Sequence, residues 1–393
     1  MVKLDVSFLR HLTKEDFRVL VAIEMGHKNH DLVPTRLINT IANLKFGGCY
    51  KAIGSLHKHK LIYHVGTTYD GYRLTYFGYD YLVLKTLTKR GTLSGLGNQI
   101  GTGKESDIYI AINDEQKQMA IKFQRLGRLS FKTIKRNRDY LGHRKSASWL
   151  YLSRLAAIKE YSYMKALHEA GFPVPTPIDY NRHAVLMELI PGTLLNNVSE
   201  LANVRLVYKE IMSILVRFAE HGLIHGDFNE FNIMIGDDEK VTVIDFPQMV
   251  SIDHENAEMY FDRDVNCIRT FFEKRFGYVA KHWPKLKIDI ERKHNLDREI
   301  AASGFTKEMQ KEFEELVKEQ NKEEENQEKE ETKDEPNSEE EEAQEPLEHP
   351  PEGLDEPPLQ PGELEQYRYS EESDDEAGIE KNENKASLGL KVH

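Results

Sequence analysis

Cysteine is nearly missing from this chain: Cys49 and Cys267 are the only two among 393 residues. They stand far apart and without metal-ligand spacing, so neither a disulfide framework nor a cysteine zinc site is expected. A reducing cytosol or nucleus suits that usage. Long apolar runs are lacking too, since nowhere do about eighteen apolar residues stand together. The opening "MVKLDVSFLRHL" scatters charges where a signal sequence would be apolar. Secretion and membrane spanning are therefore disfavoured, and the length leaves room for two or three domains.

Basic residues are scarce only toward one end. From Thr306 to His393 there are 10 Lys+Arg against 31 Asp+Glu, which leaves 43 against 35, a net +8, for residues 1 to 305. The acidic part, with "EEENQEKEE" and "SEESDDE", has too few large apolar residues to offset chain entropy. It reads as a disordered tail with one helix near "TKEMQKEFEELVKE". Ser338, Ser370 and Ser373 precede acidic runs and are candidates for an acid-directed kinase.

Residues 1 to 90 have the pattern of a winged helix. Thr13 caps "TKEDFRVLVAIEMG" with Asp16 three residues on, "PTRLINTIANL" starts with Pro34 in its first turn, and "GCYKAIGSLHKHKLI" carries Ala52, Ile53, Leu56 and His57 in helical period. "LIYHVGTTYDGYRLTYFGYDYLVL" then alternates around "YDG" as a two-stranded wing would. Lys51, His57, Lys58, His59, Lys60 and Arg73 make a nucleic-acid surface one reading, and a protein-protein module the other.

Residues 91 to 190 read as strands around a long insert and a helix, and 191 to 305 as mostly helical. This is an α+β chain with the outline of a bilobal kinase. "IGTGKESDIYIAI" has Gly101 and Gly103 between two strands, which lets backbone approach a phosphate, with Lys104, Glu105 and Ser106 completing the loop. It is not a Walker A motif, because Glu105 stands where Ser or Thr would bind magnesium, nor a Rossmann turn, because a strand follows. Lys122 interrupts the apolar strand "MAIKF", so it needs a partner, and Glu160 one helix downstream is the candidate. In "LIHGDFNEFNIMI", Asp227 and Asn232 are five apart, and Asp245 follows in "VTVIDFPQMV". That is the phosphotransfer grammar: Asp227 free to orient or deprotonate a nucleophile, Asn232 and Asp245 as hard oxygen ligands for magnesium. His225 is expected to brace the loop by hydrogen bonds, and Asp264 either to anchor it or to lie on a helix surface.

An ordinary peptide kinase does not fit. The loop is His-Gly-Asp rather than His-Arg-Asp, Pro247 replaces the glycine after Asp-Phe, and no Ala-Pro-Glu follows. With "RLGRLSFKTIKRNRDYL", "SWLYLSRLAAIKEY" and "YFDRDVNCI", over about residues 1 to 310, the chain resembles the RIO family of atypical protein kinases, in its type-two branch, which shares those departures. The resemblance implies a truncated bilobal kinase fold, ATP and magnesium, and adenine held at the backbone of Glu188 and Ile190. It implies that Asp245 accepts a phosphoryl group, that Ser130 is an autophosphorylation site, and that ATPase activity accompanies serine/threonine kinase activity. It further implies late cytoplasmic maturation of the small (40S) ribosomal subunit, with passage through the nucleus, on the precursor particle with its rRNA, ribosomal proteins and assembly proteins. A monomer is expected. The run from Lys122 to Lys145 holds nine Lys+Arg against Asp139 alone, so the insert 125 to 147 reads as an RNA or substrate contact beside the ATP site. Competing readings are a small-molecule phosphotransferase, which would lack the winged helix and the insert, and a nucleotide-binding scaffold.

Overall fold

The computed structural model describes residues 4, 6–45, 47–66, 70–126, 148–303, 305, 306 and 309–311. Most of the basic insert, Ser130, and nearly all of the acidic tail with its expected helix and serines lie outside the described residues. Thr13 accepts from the Asp16 amide, and Asp16 accepts from the Thr13 amide at 2.8 Å. This reciprocal box starts α1 (Lys14–Gly26). Pro34 sits at the N-cap of α2 (Thr35–Ala42) rather than in its first turn, and left-handed Asn43 ends that helix. In α3 (Gly48–Lys58), Ala52, Ile53 and Leu56 are buried as their period requires. His57, counted with them, is exposed and joins Lys51, Lys58 and Lys60 on the solvent face.

The wing pairs β1 (Ile62–Gly66) with β2 (Asp70–Leu74), Ile62 facing Leu74 and Gly66 facing Asp70. Asp70 and Gly71 are thus inside a strand, not in the turn expected at "YDG". Gly71 is favoured for another reason: a Cβ there would sit 3.0 Å from Leu32 Cβ and 3.2 Å from the Val33 carbonyl, where Val33 and Tyr72 exchange backbone hydrogen bonds. Thr75 then caps α4 (Tyr76–Arg90).

The next lobe is a five-stranded antiparallel sheet of order β3-β4-β5-β7-β6, built from β3 (Gly95–Thr102), β4 (Ser106–Ile112), β5 (Gln118–Gln124), β6 (Pro177–Asn181) and β7 (Ala184–Glu188). α5 (Ser148–Glu169) covers one face. Strand alternation sorts β5: Met119, Ile121 and Phe123 pack into a core shared with the winged helix, whereas Ala120 joins the second core. Lys122 and Gln124 point to that second side, toward α5. The two folds share one hydrophobic core, in which Leu82 and Val83 of α4 meet residues of the sheet; each such side chain contributes about 1.5 to 3 kcal/mol. β6 had no expectation because "PTPIDYN" is bounded by proline and carries little apolar periodicity.

In the C-terminal lobe, α6 (Val204–Glu220) is capped by Asn203. β8 (Thr193–Leu194), β10 (Ile233–Ile235) and β11 (Val241–Val243) form one small sheet, and β9 (Leu223–Ile224) pairs β12 (Val250–Ser251). α7 (Ala257–Phe276), α8 (Leu286–Asp289) and α9 (Leu296–Ser303) complete it. The segment 225–232 therefore bridges β9 to β10, and Asp245 stands just beyond β11. No described helix is long and apolar enough to cross a membrane.

Candidate phosphotransfer site

Lys122 is buried and its Nζ donates to Glu160 Oε1 at 2.7 Å and to Asp245 Oδ1 at 2.9 Å. One cation thus ties β5, α5 and the segment after β11 together across both lobes. Burial opposes its charge, but Asp245 and Glu160 more than offset this and hold the amine above its ordinary pKa. Glu160 is fully buried, and burial pushes its carboxyl up against the pull of Lys122. Gln124 donates to its second oxygen, Oε2. Each carboxylate oxygen thus has a donor, as an ionised Glu160 paired with Lys122 requires.

Asp245 holds a left-handed backbone, φ 70°, which is uncommon for a residue with a Cβ and marks a constrained position. Its Oδ2 carries no hydrogen bond among the described residues. Asn232 Nδ2 donates to the Asp227 carbonyl at 2.8 Å and to Asp227 Oδ2 at 3.0 Å, and Asn229 Nδ2 donates to Asp227 Oδ1 at 2.8 Å. The Asn232 amide hydrogens being committed to Asp227, its Oδ1 is the atom left to face a cation. Burial, then the nearby Asp245 charge, raises the Asp227 carboxyl above its ordinary range. These contacts explain how so many polar side chains are accommodated in "LIHGDFNEFNIMI".

Gly226 shows why arginine is absent from this loop. Its φ is +80° and a Cβ would lie 2.7 Å from the Gln248 carbonyl, so any side chain both strains the backbone and strikes it. Asp264 on α7 is the anchor, not a surface charge: it is buried and accepts from the Gly226 amide at 2.8 Å and the Phe228 amide at 3.1 Å. Burial lifts its carboxyl to about 6, against those two donors. Arg263 donates to the Gly226 carbonyl. His225 departs from expectation in part. Its ring is buried among Phe218, Phe228 and Phe246, and neither ring nitrogen makes a full hydrogen bond among the described residues. It braces by packing and by a weak contact with the Ile244 backbone that falls short of good hydrogen-bond geometry, and burial, outweighing that contact and the Asp245 charge, drives its pKa down to about 4, so it is neutral.

In the β3–β4 hairpin the Gly103 amide donates to the Ser106 carbonyl at 2.8 Å. A Cβ at Gly101 or Gly103 would meet nothing closer than 3.4 Å, so the fold itself does not demand glycine at either position. Lys104 and Glu105 are exposed and Ser106 partly so. The Glu188 carboxylate is turned aside to the Thr176 hydroxyl at 2.6 Å, which leaves backbone rather than side chain for any contact at Glu188 and Ile190. Arg125, counted in the basic run, is buried and paired with Asp80 and Asp107. It is a structural cation and no RNA contact. The donor set suits magnesium: an amide oxygen and a carboxylate oxygen, both hard.

A family profile described as the RIO domain matches residues 107–285, and one described as Rio2, N-terminal, matches residues 9–90. The Schizosaccharomyces pombe serine/threonine-protein kinase rio2 is 52% identical over 318 residues, 80% of this chain and 92% of that protein. The chain belongs to the RIO family. Its type-two branch is indicated by the N-terminal match and by the Dictyostelium discoideum serine/threonine-protein kinase rio2, 64% identical over 80% of this chain but 60% of that protein's length. The crystal structure of the Rio2 kinase-ADP/Mg2+-phosphoaspartate complex from Chaetomium thermophilum shares 48% identity at a TM-score of 0.72, covering 81% of this chain and 99% of that one.

Sequence reasoning missed Gln124, Arg263 and the Asp80–Arg125 pair. Gln124 was legible: it lies two residues past Lys122 in an apolar strand, hence on the same face. Asp80 was not, because nothing in its helix announces a partner 45 residues away.

Proposed function

We propose that this chain is an ATP-dependent, magnesium-requiring phosphotransferase of the atypical serine/threonine kinase type, with ATPase activity, working on the maturing small ribosomal subunit. The observation that carries the chemical part is Lys122 held between Glu160 and Asp245, with Asp227 and Asn232 joined beside it. The ADP and magnesium named for the Chaetomium relative support the same cofactors here. Asn232 and Asp245 would hold magnesium, which when bound would neutralise charge on the phosphates.

Lys122 binds phosphate oxygens, and the β3–β4 hairpin presents backbone to them. Asp227 accepts a proton from the attacking hydroxyl or water, its raised pKa making it a stronger base than an exposed aspartate. The phosphoaspartate in the relative supports an acceptor role for Asp245. A carboxylate oxygen of Asp245 bonds to the γ-phosphorus, the bond from that phosphorus to ADP breaks, and ADP leaves with the electron pair. Water then attacks the same phosphorus, gives its proton to Asp227, and releases phosphate and free Asp245. Magnesium-dependent ATP turnover by the purified protein tests this reading; absence of both turnover and nucleotide binding would sink it.

The ribosomal assignment is supported by the basic insert and by exposed Lys51, Lys58 and Lys60 on the winged helix, which suit rRNA phosphates. The partners proposed are the pre-40S particle, its rRNA, and ribosomal and assembly proteins, met by a monomer in the cytoplasm after passage through the nucleus. Asp227→Ala should bind the particle and fail to leave it. Unchanged release would instead favour a scaffold. Deleting residues 306–393 should tighten RNA binding if the acidic tail competes for the basic insert, and an unaltered affinity would remove that idea.

A further inference from the structure

Arg125 stands where three parts of the molecule meet. Its guanidinium makes a two-pronged pair with Asp80 of α4, at 2.6 and 2.8 Å, and its Nε donates to Asp107 of β4 at 2.9 Å. Its own amide donates to the carbonyl of Glu105, inside the glycine loop. Asp107 is further held by Gln99 of β3 at 3.3 Å. All three charged residues are buried, Asp80 completely. The fourth member is His183 at the β6–β7 turn, whose Nε2 lies 2.7 Å from Asp80 Oδ1 and whose ring stacks on Tyr79 of α4 at 4.3 Å. Its Nε2 also lies 3.2 Å from Arg125 Nη1; burial lowers its pKa, and the tautomer that donates Nε2–H to the Asp80 carboxylate fits the shorter contact.

A purely cohesive role needs none of this. Apolar side chains already join the winged helix to the sheet, and a buried ion pair is weak evidence for stability beside a hydrophobic replacement. The arrangement does specify geometry: a planar fork with one partner on the winged helix and the other on the strand leaving the phosphate loop fixes where that loop begins. Arg125 is also the first residue of the basic insert 125 to 147.

We infer that the Asp80–Arg125–Asp107 chain couples the winged helix to the nucleotide loop, with Arg125 as a positioning residue that lets the position of the winged helix set nucleotide affinity. The inference rests on the phosphotransfer reading of the site. A partner that grips α4 or the insert thereby changes how tightly nucleotide is held, and nucleotide by linkage changes how tightly that partner is held.

The same interface offers a control. Arg182 pairs with Glu24 of α1 at 2.7 and 2.8 Å and donates to the Leu82 carbonyl and Thr86 hydroxyl of α4, so it joins the same helix to the sheet with no contact to the glycine loop among the described residues. Calorimetric binding of MgADP is to be compared among wild type, Asp80→Asn and Arg182→Gln, at a temperature where melting curves show each folded. Asp80→Asn should bind roughly five- to tenfold more weakly, and Arg182→Gln as wild type does. Equal affinity in Asp80→Asn and wild type overturns the coupling, as does an equal loss in both variants, which would mean general loosening of the interface. Should Asp80→Asn not fold, Arg125→Lys takes its place, and wild-type hydrogen exchange decides independently. MgADP should then slow exchange in α4 around Tyr79 to Leu84 and leave α2 unchanged; no difference between these helices refutes the coupling. Wild type that binds no MgADP would instead overturn the phosphotransfer reading, and the inference with it.

Discussion

Replacing Lys122 by methionine removes one charge and keeps most of the stem. The structure then leaves Glu160, fully buried, with Gln124 as donor but no cation. Asp245, 40% exposed at its side chain, can turn to water instead. Breaking a buried pair from one side costs about 3 to 5 kcal/mol, or roughly 6 to 20 °C in melting temperature for a lobe of this size. The cost depends on pH, with a definite sign. Burial already places the Glu160 carboxyl above its ordinary 4.5, and without Lys122 it rises further. A carboxyl whose folded pKa exceeds its unfolded one contributes fully below the unfolded value, and that contribution is lost as pH rises through the folded value. The deficit of Lys122→Met should therefore be small near pH 4.5 and grow toward pH 8, by about 1.4 kcal/mol for each unit of added shift. Removing both charges, in Lys122→Met/Glu160→Leu, should recover most of the stability, while neither variant turns over ATP. Urea denaturation at two pH values with ATP turnover measures all of this. A single variant as stable as wild type, or a double variant no more stable than the single, would refute the reasoning.

Asp227→Asn should keep nucleotide binding and lose roughly 10²- to 10⁴-fold in turnover, the usual worth of a general base; single-turnover kinetics beside a binding isotherm separates the two. In wild type the same group should give turnover an acid limb lying above the usual aspartate range, because burial and Asp245 raise its carboxyl, and a limb at an ordinary aspartate value would argue against Asp227 as the base. Asp264→Ala strands two buried amides, each costing about 1 to 3 kcal/mol; turnover should fall more than MgADP affinity, read by parallel kinetics and calorimetry. Gly226→Ala should cost more than 1 kcal/mol for its backbone alone and abolish turnover, with melting and activity assays as the check.

How far the sequence carried depended on whether a residue's partner lay within a local pattern. Thr13, Lys122, Glu160, Asp227, Asn232 and Asp245 were legible because caps, strand periods and five-residue spacings fix where such side chains go. His225 was legible only in part, because Phe218, which joins Phe228 and Phe246 around its ring, comes from α6 and not from its own loop. Gly71 was assigned to a turn because Asp-Gly is a strong local signal, and only a close approach by Leu32 and Val33 outweighs it. Arg125 was read as part of an RNA- or substrate-contacting basic run, and its pairing with Asp80, from the other fold, removes it from that surface.

The most direct test of the central claim uses γ-labelled ATP with magnesium on purified wild type, Asp227→Ala and Asp245→Ala, with MgADP affinity measured for each. The account predicts acid-stable, hydroxylamine-sensitive label on the wild-type protein, lost in Asp245→Ala even at nucleotide concentrations that saturate that variant, and retained but not discharged in Asp227→Ala. Hydroxylamine-sensitive label that survives in nucleotide-saturated Asp245→Ala would contradict it.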